Sequence, residues 1–394
     1  MNLKINDRIH IRDISEFSNF QISLIHNSVA STFSFYFRFD PNNKEHAELA
    51  CVSHFHEAIL EHEGERIITG YIVSNGFASG PNKELTQLAG YSKAGILEEC
   101  DIPPELYPLE TNGLNLKQIT ERLLKKFGLK LLIEKDAFSQ STQSFINTSP
   151  PDVDSNGRMA EDVAKAVDSV TPKYSLTERV EKTIKKSSSD YSQNIKAYLT
   201  ELANQRNILI GHDRNGNVLF TEPKSNTKPI AHFESGVVGT DLRLTFDGQS
   251  LHSHIYVLLQ ADEDGKVTEP FVLRNPLVPT LYRPRVVMMS ASDAVTMQDF
   301  AQKELARELR GIKLTITIDR WQIDGKIVFP DNTITVKDKE LFLYKETTWF
   351  IERVDLSGTV DAQTAKLTCV MPEVYNGKIP KNIFVDAHKN LPRQ

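Results

Sequence analysis

Within nine residues, His54-Phe55-His56-Glu57 and His62 collect three imidazoles and a carboxylate, the side chains of a zinc site. A helical zinc hydrolase spaces two histidines as HExxH, so that both face one metal one turn apart. Here the position four after His56 is Leu60, and the next imidazole, His62, falls six residues on. On a helix that spacing turns it away. On a strand His54, His56 and His62 share a face, but no fourth ligand lies near in the sequence. They read as exposed strand histidines, with no metal bound.

Other chemistry is equally incomplete. Asp213-Arg214-Asn215-Gly216-Asn217 and Asp262-Glu263-Asp264-Gly265 open like calcium loops, yet each glycine stands at position four, not six, and the flanks read as strands. They are expected to be hairpin turns. No GxSxG, GxxxxGK[ST] or GxGxxG occurs. Glu61/Glu63 and Glu98/Glu99 are carboxylate pairs without a cleft signature, read as solvated surface. Trp321 and Trp349 read as core or interface anchors. Cys51, Cys100 and Cys369 are an odd, scattered set with no CxxC, and read as small hydrophobes rather than disulfides or thiolate ligands. The sequence therefore predicts no catalytic residue, no cofactor and no metal.

The elements that would carry any site are mostly strands with one buried face. Phe33, Phe35, Phe37 and Phe39 alternate with Thr32, Ser34, Tyr36 and Arg38. The same period runs through Leu242–Phe246, Lys313–Asp319, Thr333–Lys337 and Lys366–Met371, a pattern of antiparallel rather than parallel sheets. Asn215-Gly216, Asp264-Gly265 and Asp324-Gly325 supply turn chemistry. Helical stripes recur at Leu116, Ile119, Thr120, Leu123, Leu124 and Phe127, capped by Asn115 and Gln118 and closed by Gly128. Others are Ile195, Tyr198, Leu199, Leu202 and Ala203; Met159, Val163, Ala166, Val167 and Val170; and Met297, Ala301, Leu305 and Leu309 within Asp293–Arg310.

These elements imply an α+β, β-rich chain in five parts. Residues 1–92 are a first β-barrel domain, and 93–229 an α/β insertion containing the polar loop Ser139–Gly157. Residues 230–261 and 312–372 form a second β-barrel domain, 262–311 a small helix-containing insertion, and 373–394 a tail. Glu65–Ser74 followed by Lys83–Tyr91 matches Thr348–Ser357 followed by Ala365–Met371 in spacing and apolar density, which suggests two copies of one barrel. At 394 residues the chain is long enough for several cores. Mean hydropathy is −0.34, and no apolar run approaches the ~20 residues of a membrane helix. With no secretory run at Met1-Asn2-Leu3-Lys4, a soluble chain folded in a cytoplasm is expected. The formal net charge of −6 argues against a protein that grips nucleic acid. The basic run Lys182–Lys186, followed by three serines, reads as a solvated turn.

Two stretches resemble the Mu-like phage tail protein family, the baseplate hub related to the hub part of VgrG proteins. One is Leu88–Lys130, with Ala89-Gly90-Tyr91-Ser92, Leu97–Pro103 and Leu116–Gly128. The other is Tyr191–Glu222, reading helix, Leu202–Asn207, strand, Asp213–Asn217 turn, strand. Leu305–Pro372 is similar to the family's closing domain in order of elements. The resemblance implies a structural, non-enzymatic subunit with two tail-tube-like barrels, which closes as a homotrimer. Six barrels would then meet the six-fold tail tube or distal tube protein above, with the three-fold spike below and other baseplate proteins around. It further implies DNA passing through the channel during ejection, no integral membrane segment, and a place in the virion tail baseplate after assembly in the host cytoplasm. The alternative is a cell-wall hydrolase or protease of the same machine.

Overall fold

The computed structural model describes residues 2–6, 11–14, 17–79, 85–106, 113–134, 175–184, 193–204, 206, 208–234, 236–237, 239–259, 269–289, 296–359 and 362–384. The stripe at Met159–Val170, the loop Ser139–Gly157 and the turn at Asp264-Gly265 lie outside them. The chain divides into two compact units: Met1–Pro151, Lys173–Glu222 and Asp355–Thr364 form unit 1, and Asp152–Pro172, Pro223–Val354 and Ala365–Gln394 form unit 2.

Unit 1 is built on strands β1 (Asn2–Asn6), β2 (Ile11–Ile14), β3 (Asn19–Ile25), β4 (Thr32–Phe37), β5 (Glu57–His62), β6 (Glu65–Gly76) and β7 (Thr86–Ser92), with helix α1 (Lys44–Leu49) between β4 and β5. They pair antiparallel in the order β3-β4-β7-β6-β5-β1-β2. Phe33, Phe35 and Phe37 are buried as their period requires, while Phe39, past the strand end, is half-buried. Gly90 lies opposite Phe33 on β4 and opposite Ile72 on β6. A Cβ at Gly90 would sit 1.9 Å from the Tyr71 carbonyl oxygen and 2.7 Å from Phe33 Cζ; one at Gly70 would meet the Tyr91 oxygen at 2.0 Å. Only hydrogen fits where backbone and ring approach so closely.

The middle of unit 1 has its own core. Helices α2 (Ile96–Glu99), α3 (Leu116–Leu124), α4 (Leu176–Glu181) and α5 (Ile195–Asn204) pack with a small sheet of β8 (Leu131–Ile133), β9 (Leu209–His212) and β10 (Val218–Thr221). The capping box forms as read: Asn115 Oδ1 accepts from Gln118 N at 2.8 Å, and Asn115 N donates to Gln118 Oε1 at 3.0 Å. Gly128 ends the helix at φ 64°. All five residues of the second stripe are buried on α5. The strand β8, parallel to β10, carries too short an apolar run to be read from sequence. Thr183 and Ile184, expected in a solvated turn, instead bridge to Asn115 and Leu114, and Ile184 is buried.

Unit 2 contains β11 (His232–Glu234), β12 (Thr240–Phe246), β13 (His254–Leu259), β14 (Phe271–Arg274), β15 (Pro284–Met289), helix α6 (Met297–Glu308), β16 (Ile312–Ile318), β17 (Gln322–Ile323), β18 (Lys326–Ile327), β19 (Thr333–Asp338) and the long pair β20 (Leu343–Thr359) and β21 (Gln363–Val370), then helix α7 (Glu373–Asn376). Its main sheet runs β12-β16-β21-β20, with β19 beside β20 and β11 parallel to β19. The tip of the β20–β21 hairpin, Asp355–Thr364, belongs to unit 1, where β20 neighbours β3. Trp349, Phe350, Ile351, Leu367 and Cys369 are wholly buried, as is Trp321 at 1% exposure. Asp324 and Gly325, at φ 49° and 73°, make the tight turn between β17 and β18.

Three readings change. Thr333 and Thr335 on β19 are buried, not exposed: Thr333 Oγ1 donates to Thr227 O at 2.9 Å and Thr335 pairs with His232 Nδ1 at 2.9 Å, so a second covered face is tolerated. β12 is only half-buried, with Phe246 exposed. β13 leaves the main sheet and pairs with β14 and β15 instead. The β-rich α+β class with large antiparallel sheets holds, but no closed barrel is formed among the described residues.

Candidate interaction surfaces

The residues that suggested chemistry are placed apart or put to structural use. His54 is exposed in the loop before β5 and not on a strand, its Nε2 3.6 Å from Cys51 Sγ. His56 is buried, with Nε2 3.1 Å from the Glu48 carbonyl at the end of α1. His62 is also buried, and burial holds its pKa below the ordinary value. Two of the three histidines are therefore not the exposed residues expected. Among the described residues no group of three or more His, Cys, Asp or Glu could hold a metal ion.

Of the carboxylates read as solvated surface, Glu63 and Glu99 are exposed as read, while Glu61 and Glu98 are held in ion pairs. Glu61 pairs with Lys4 at 2.7 Å, Glu98 with Lys196, and Glu99 accepts from Tyr91 Oη at 2.8 Å. The Asp213 loop is a hairpin turn: Asp213 Oδ1 accepts from Asn215 N at 3.0 Å and Asn217 N at 2.7 Å. Its oxygens are spent on the loop's own donors. The turn is pinned to β6, where Thr69 Oγ1 donates to Arg214 O at 2.9 Å and Arg66 to Asn215 Oδ1 at 2.7 Å. Gly216 is at φ 81°, and a Cβ there would strike Lys93 and Thr69. Behind it, His212 Nε2 lies 2.7 Å from Ser31 Oγ and Nδ1 lies 2.9 Å from Asp213 O. Burial lowers its pKa, so the ring is neutral near pH 7.

What the fold leaves open is apolar surface. In unit 1 the loop after α1 exposes Val52 and Phe55, and the far end of β6 exposes Val73 and Phe77. The two segments run side by side, since Ile72 N donates to His56 O at 2.9 Å and Asn75 Nδ2 to Ala50 O at 2.9 Å. Ser53 and Phe55 hold φ of 71° and 47°. Left-handed conformations of this kind cost roughly 1–3 kcal/mol each and gather at functional sites.

In unit 2 the sheet β14-β13-β15 has two unlike faces. Ile255, Val257 and Leu273 are buried on the face that α6 covers. Arg285, from the same side of β15, reaches Glu304 at 3.0 Å and Glu308 at 3.1 Å, and His252 donates its backbone N–H to Glu308 at 2.9 Å. Both carboxylates are buried and paired, which fixes α6 on the sheet. The opposite face carries Tyr256, Val272, Val286 and Met288 with no covering layer among the described residues, the last two 60% and 65% exposed. Leu281 and Tyr282 extend it, Tyr282 Oη lying 3.4 Å from Tyr256 Oη. Tyrosine, methionine and arginine are the residues enriched at protein interfaces, and contiguous exposed patches of them mark contact sites. The sequence hid this surface because β15, Pro284–Met289, is apolar on both faces and shows no alternation.

No protein-family model matches the sequence, and no curated protein matches it. Among solved structures, the fold is similar to a 43 kDa tail protein of prophage MuSo2 from Shewanella oneidensis, with 17% identity and a TM-score of 0.69 over 96% of this chain and 99% of that one. A tail protein from Neisseria meningitidis gives 16% identity and 0.67 over 96% and 98%. The chain has the fold of phage-type tail proteins. The tail-protein fold extends to a more distant case, an Escherichia coli component of the type VI secretion system described as similar to the bacteriophage T4 tail proteins gp27 and gp5, at 9% identity and 0.52 over 97% and 80%. The likeness read from Leu88–Lys130 and Tyr191–Glu222 thus holds at the level of fold. No helix among the described residues is long and apolar enough to cross a membrane.

Proposed function

We propose that the chain is a structural, non-enzymatic subunit of a phage-type tail baseplate: a hub that joins the tail tube to the spike. Three copies close into a ring, whose six tail-tube-like domains meet the six-fold tube while the ring's own symmetry meets the three-fold spike. In this reading 1–92, and 230–261 with 312–372, are the two tube-like domains. Residues 93–229 and 262–311 are insertions, and DNA passes through the central channel.

The observation that carries the reading is the fold correspondence with two prophage tail proteins over nearly the whole of each chain. A fold alone does not fix a function. The duplicated strand–loop–strand unit and the two apolar surfaces support an assembling part over a catalyst. Electron cryomicroscopy of the assembled tail tests the proposal. Three copies in one ring between tube and spike are expected; a peripheral position, or any other copy number, overturns it. Clearing of peptidoglycan or casein by the purified chain would overturn the non-enzymatic part.

A further inference from the structure

We propose that the cleft between the Asn19 end of β3 and the tip of the β20–β21 hairpin binds a neutral saccharide. The site is a property of the single chain and does not depend on the baseplate reading. Both of its walls belong to unit 1.

The cleft holds about 420 Å³ and is open to solvent on one side. Its volume falls within the roughly 300–1,000 Å³ of small-molecule sites. One wall is Asn19 and Gln21 of β3 with Tyr36 of β4. Asn19 and Tyr36 are register partners, and Gln21 lies two residues on from Asn19, so the three share a sheet face. The other wall is Ser357, Thr359 and Thr364. Their hydroxyls shape the hairpin tip: Ser357 Oγ donates to Thr364 O at 3.5 Å, and Thr359 Oγ1 accepts from Ala362 N at 3.2 Å. Gly358, between the first two, adds no side chain to narrow the opening.

The ligand class follows from what lines the cleft. A quarter of the chain's residues are charged, yet every described lining residue is neutral. A phosphate or carboxylate would meet no cation there, and a metal ion or amine no anion. A peptide would need apolar surface for its side chains, and Phe20, 9% exposed, offers little. What fits is a neutral molecule dense in hydroxyls. Among the described residues, no hydrogen bond uses the side-chain amides of Asn19 and Gln21 or the Tyr36 hydroxyl. Each amide offers donors and an acceptor in one plane, a match for neighbouring hydroxyls that both give and take hydrogen bonds. The Tyr36 ring adds an apolar face for the C–H surface of a sugar ring. The open side lets a longer glycan continue past the bound unit.

The test is a titration of the full chain with glucose, N-acetylglucosamine, maltotriose and chitotriose, read by saturation-transfer NMR and calorimetry. At least one should bind with a dissociation constant on the order of 1 mM, the strength of a few hydrogen bonds at an open site. Gln21→Ala and Asn19→Ala should each weaken that binding roughly threefold to tenfold, the effect of one lost hydrogen bond. Tyr36→Ala should weaken it more than Tyr36→Phe, which keeps the ring. Gln21 is exposed and Asn19 and Tyr36 are half-buried, so an unchanged melting temperature will show that each variant is folded. No binding of any of these sugars would overturn the site, as would binding indifferent to all the substitutions. Tighter binding of galacturonate or glucosamine than of the neutral sugars would overturn the ligand class. None of these results touches the copy number in the assembled tail, so the hub reading stands or falls separately.

Discussion

The hairpins β6–β7 and β20–β21 share an order of elements, each a long strand, a loop and a shorter strand running into a short helix, yet they solve packing in opposite ways. In β6–β7 the space is made by removing side chains, with Gly70 and Gly90 bare so that the Phe33 ring can lie against backbone. In β20–β21 it is filled by adding them, with Trp349, Phe350 and Leu367 wholly buried. The helix that follows is tied differently too. Tyr91 Oη donates to Glu99 at an exposed edge, whereas Tyr375 Oη donates to Glu352 at 2.7 Å beside Arg310, whose guanidinium lies 5.1 Å over the Tyr375 ring. A duplicated pattern of alternation fixes which residues face inward. It does not fix what they meet there.

Truncation should separate the two hairpins most strongly. Trp349→Ala is expected to lower stability by about 3–5 kcal/mol, read as a shift in the denaturant midpoint, because it opens a cavity and strips the hydrogen bond from Nε1 to Thr347 Oγ1. In the first hairpin the damaging change is an added methyl. Gly90→Ala should cost about 1–3 kcal/mol or more, and Phe33→Leu in that background should recover only the part due to the ring, because the Tyr71 carbonyl clash remains. Full recovery, or no cost at all, would break the contrast.

Acid should next distinguish the units. His62 and His212 in unit 1 have pKa values depressed by burial below the ordinary 6.5, so below that pH the unfolded chain binds protons the folded one refuses. Their contribution is present above pH 6.5 and is lost as pH falls toward the folded values. Glu373 in unit 2 is raised by burial above the ordinary 4.5, so its contribution has the opposite sign: complete below pH 4.5 and lost as pH rises through the folded value. Hydrogen exchange between pH 7 and 5 should therefore speed up first around β9 and β3–β4. His212→Gln should flatten that response; faster exchange first at α7 would contradict it.

The smallest expected effects are at the helix ties. Tyr375→Phe should cost about 1 kcal/mol, since it removes one hydrogen bond from a largely buried carboxylate that keeps its pairing with Arg310, and Tyr91→Phe about 0.5 kcal/mol at a wetter site. Equal losses in thermal melts would show that the two ties are equivalent after all.

Alternation alone located β4, β12, β16, β19 and β21, and helical period with capping chemistry located α3 and α5, because side-chain direction repeats within a few residues of chain. The Asp213–Asn217 and Asp324-Gly325 turns were legible for the same reason: they need left-handed backbone, supplied in the sequence itself. The candidate surfaces were not legible. No sequence pattern assigned Val286 and Met288 to a face, and only the third dimension shows that α6 covers the other face of their sheet. Glu304 and Glu308 lie off the apolar stripe of Met297, Ala301, Leu305 and Leu309, and are buried because Arg285 and His252, distant in sequence, reach across to them. His56 and His62 read as exposed until the Glu48 carbonyl and the strands around β5 enclosed them. The sequence by itself determined the local directions of the chain, and with them the β-rich class. Tertiary structure alone decided which strand joined which sheet and which face stayed bare, since pairing and burial depend on partners that no local period encodes.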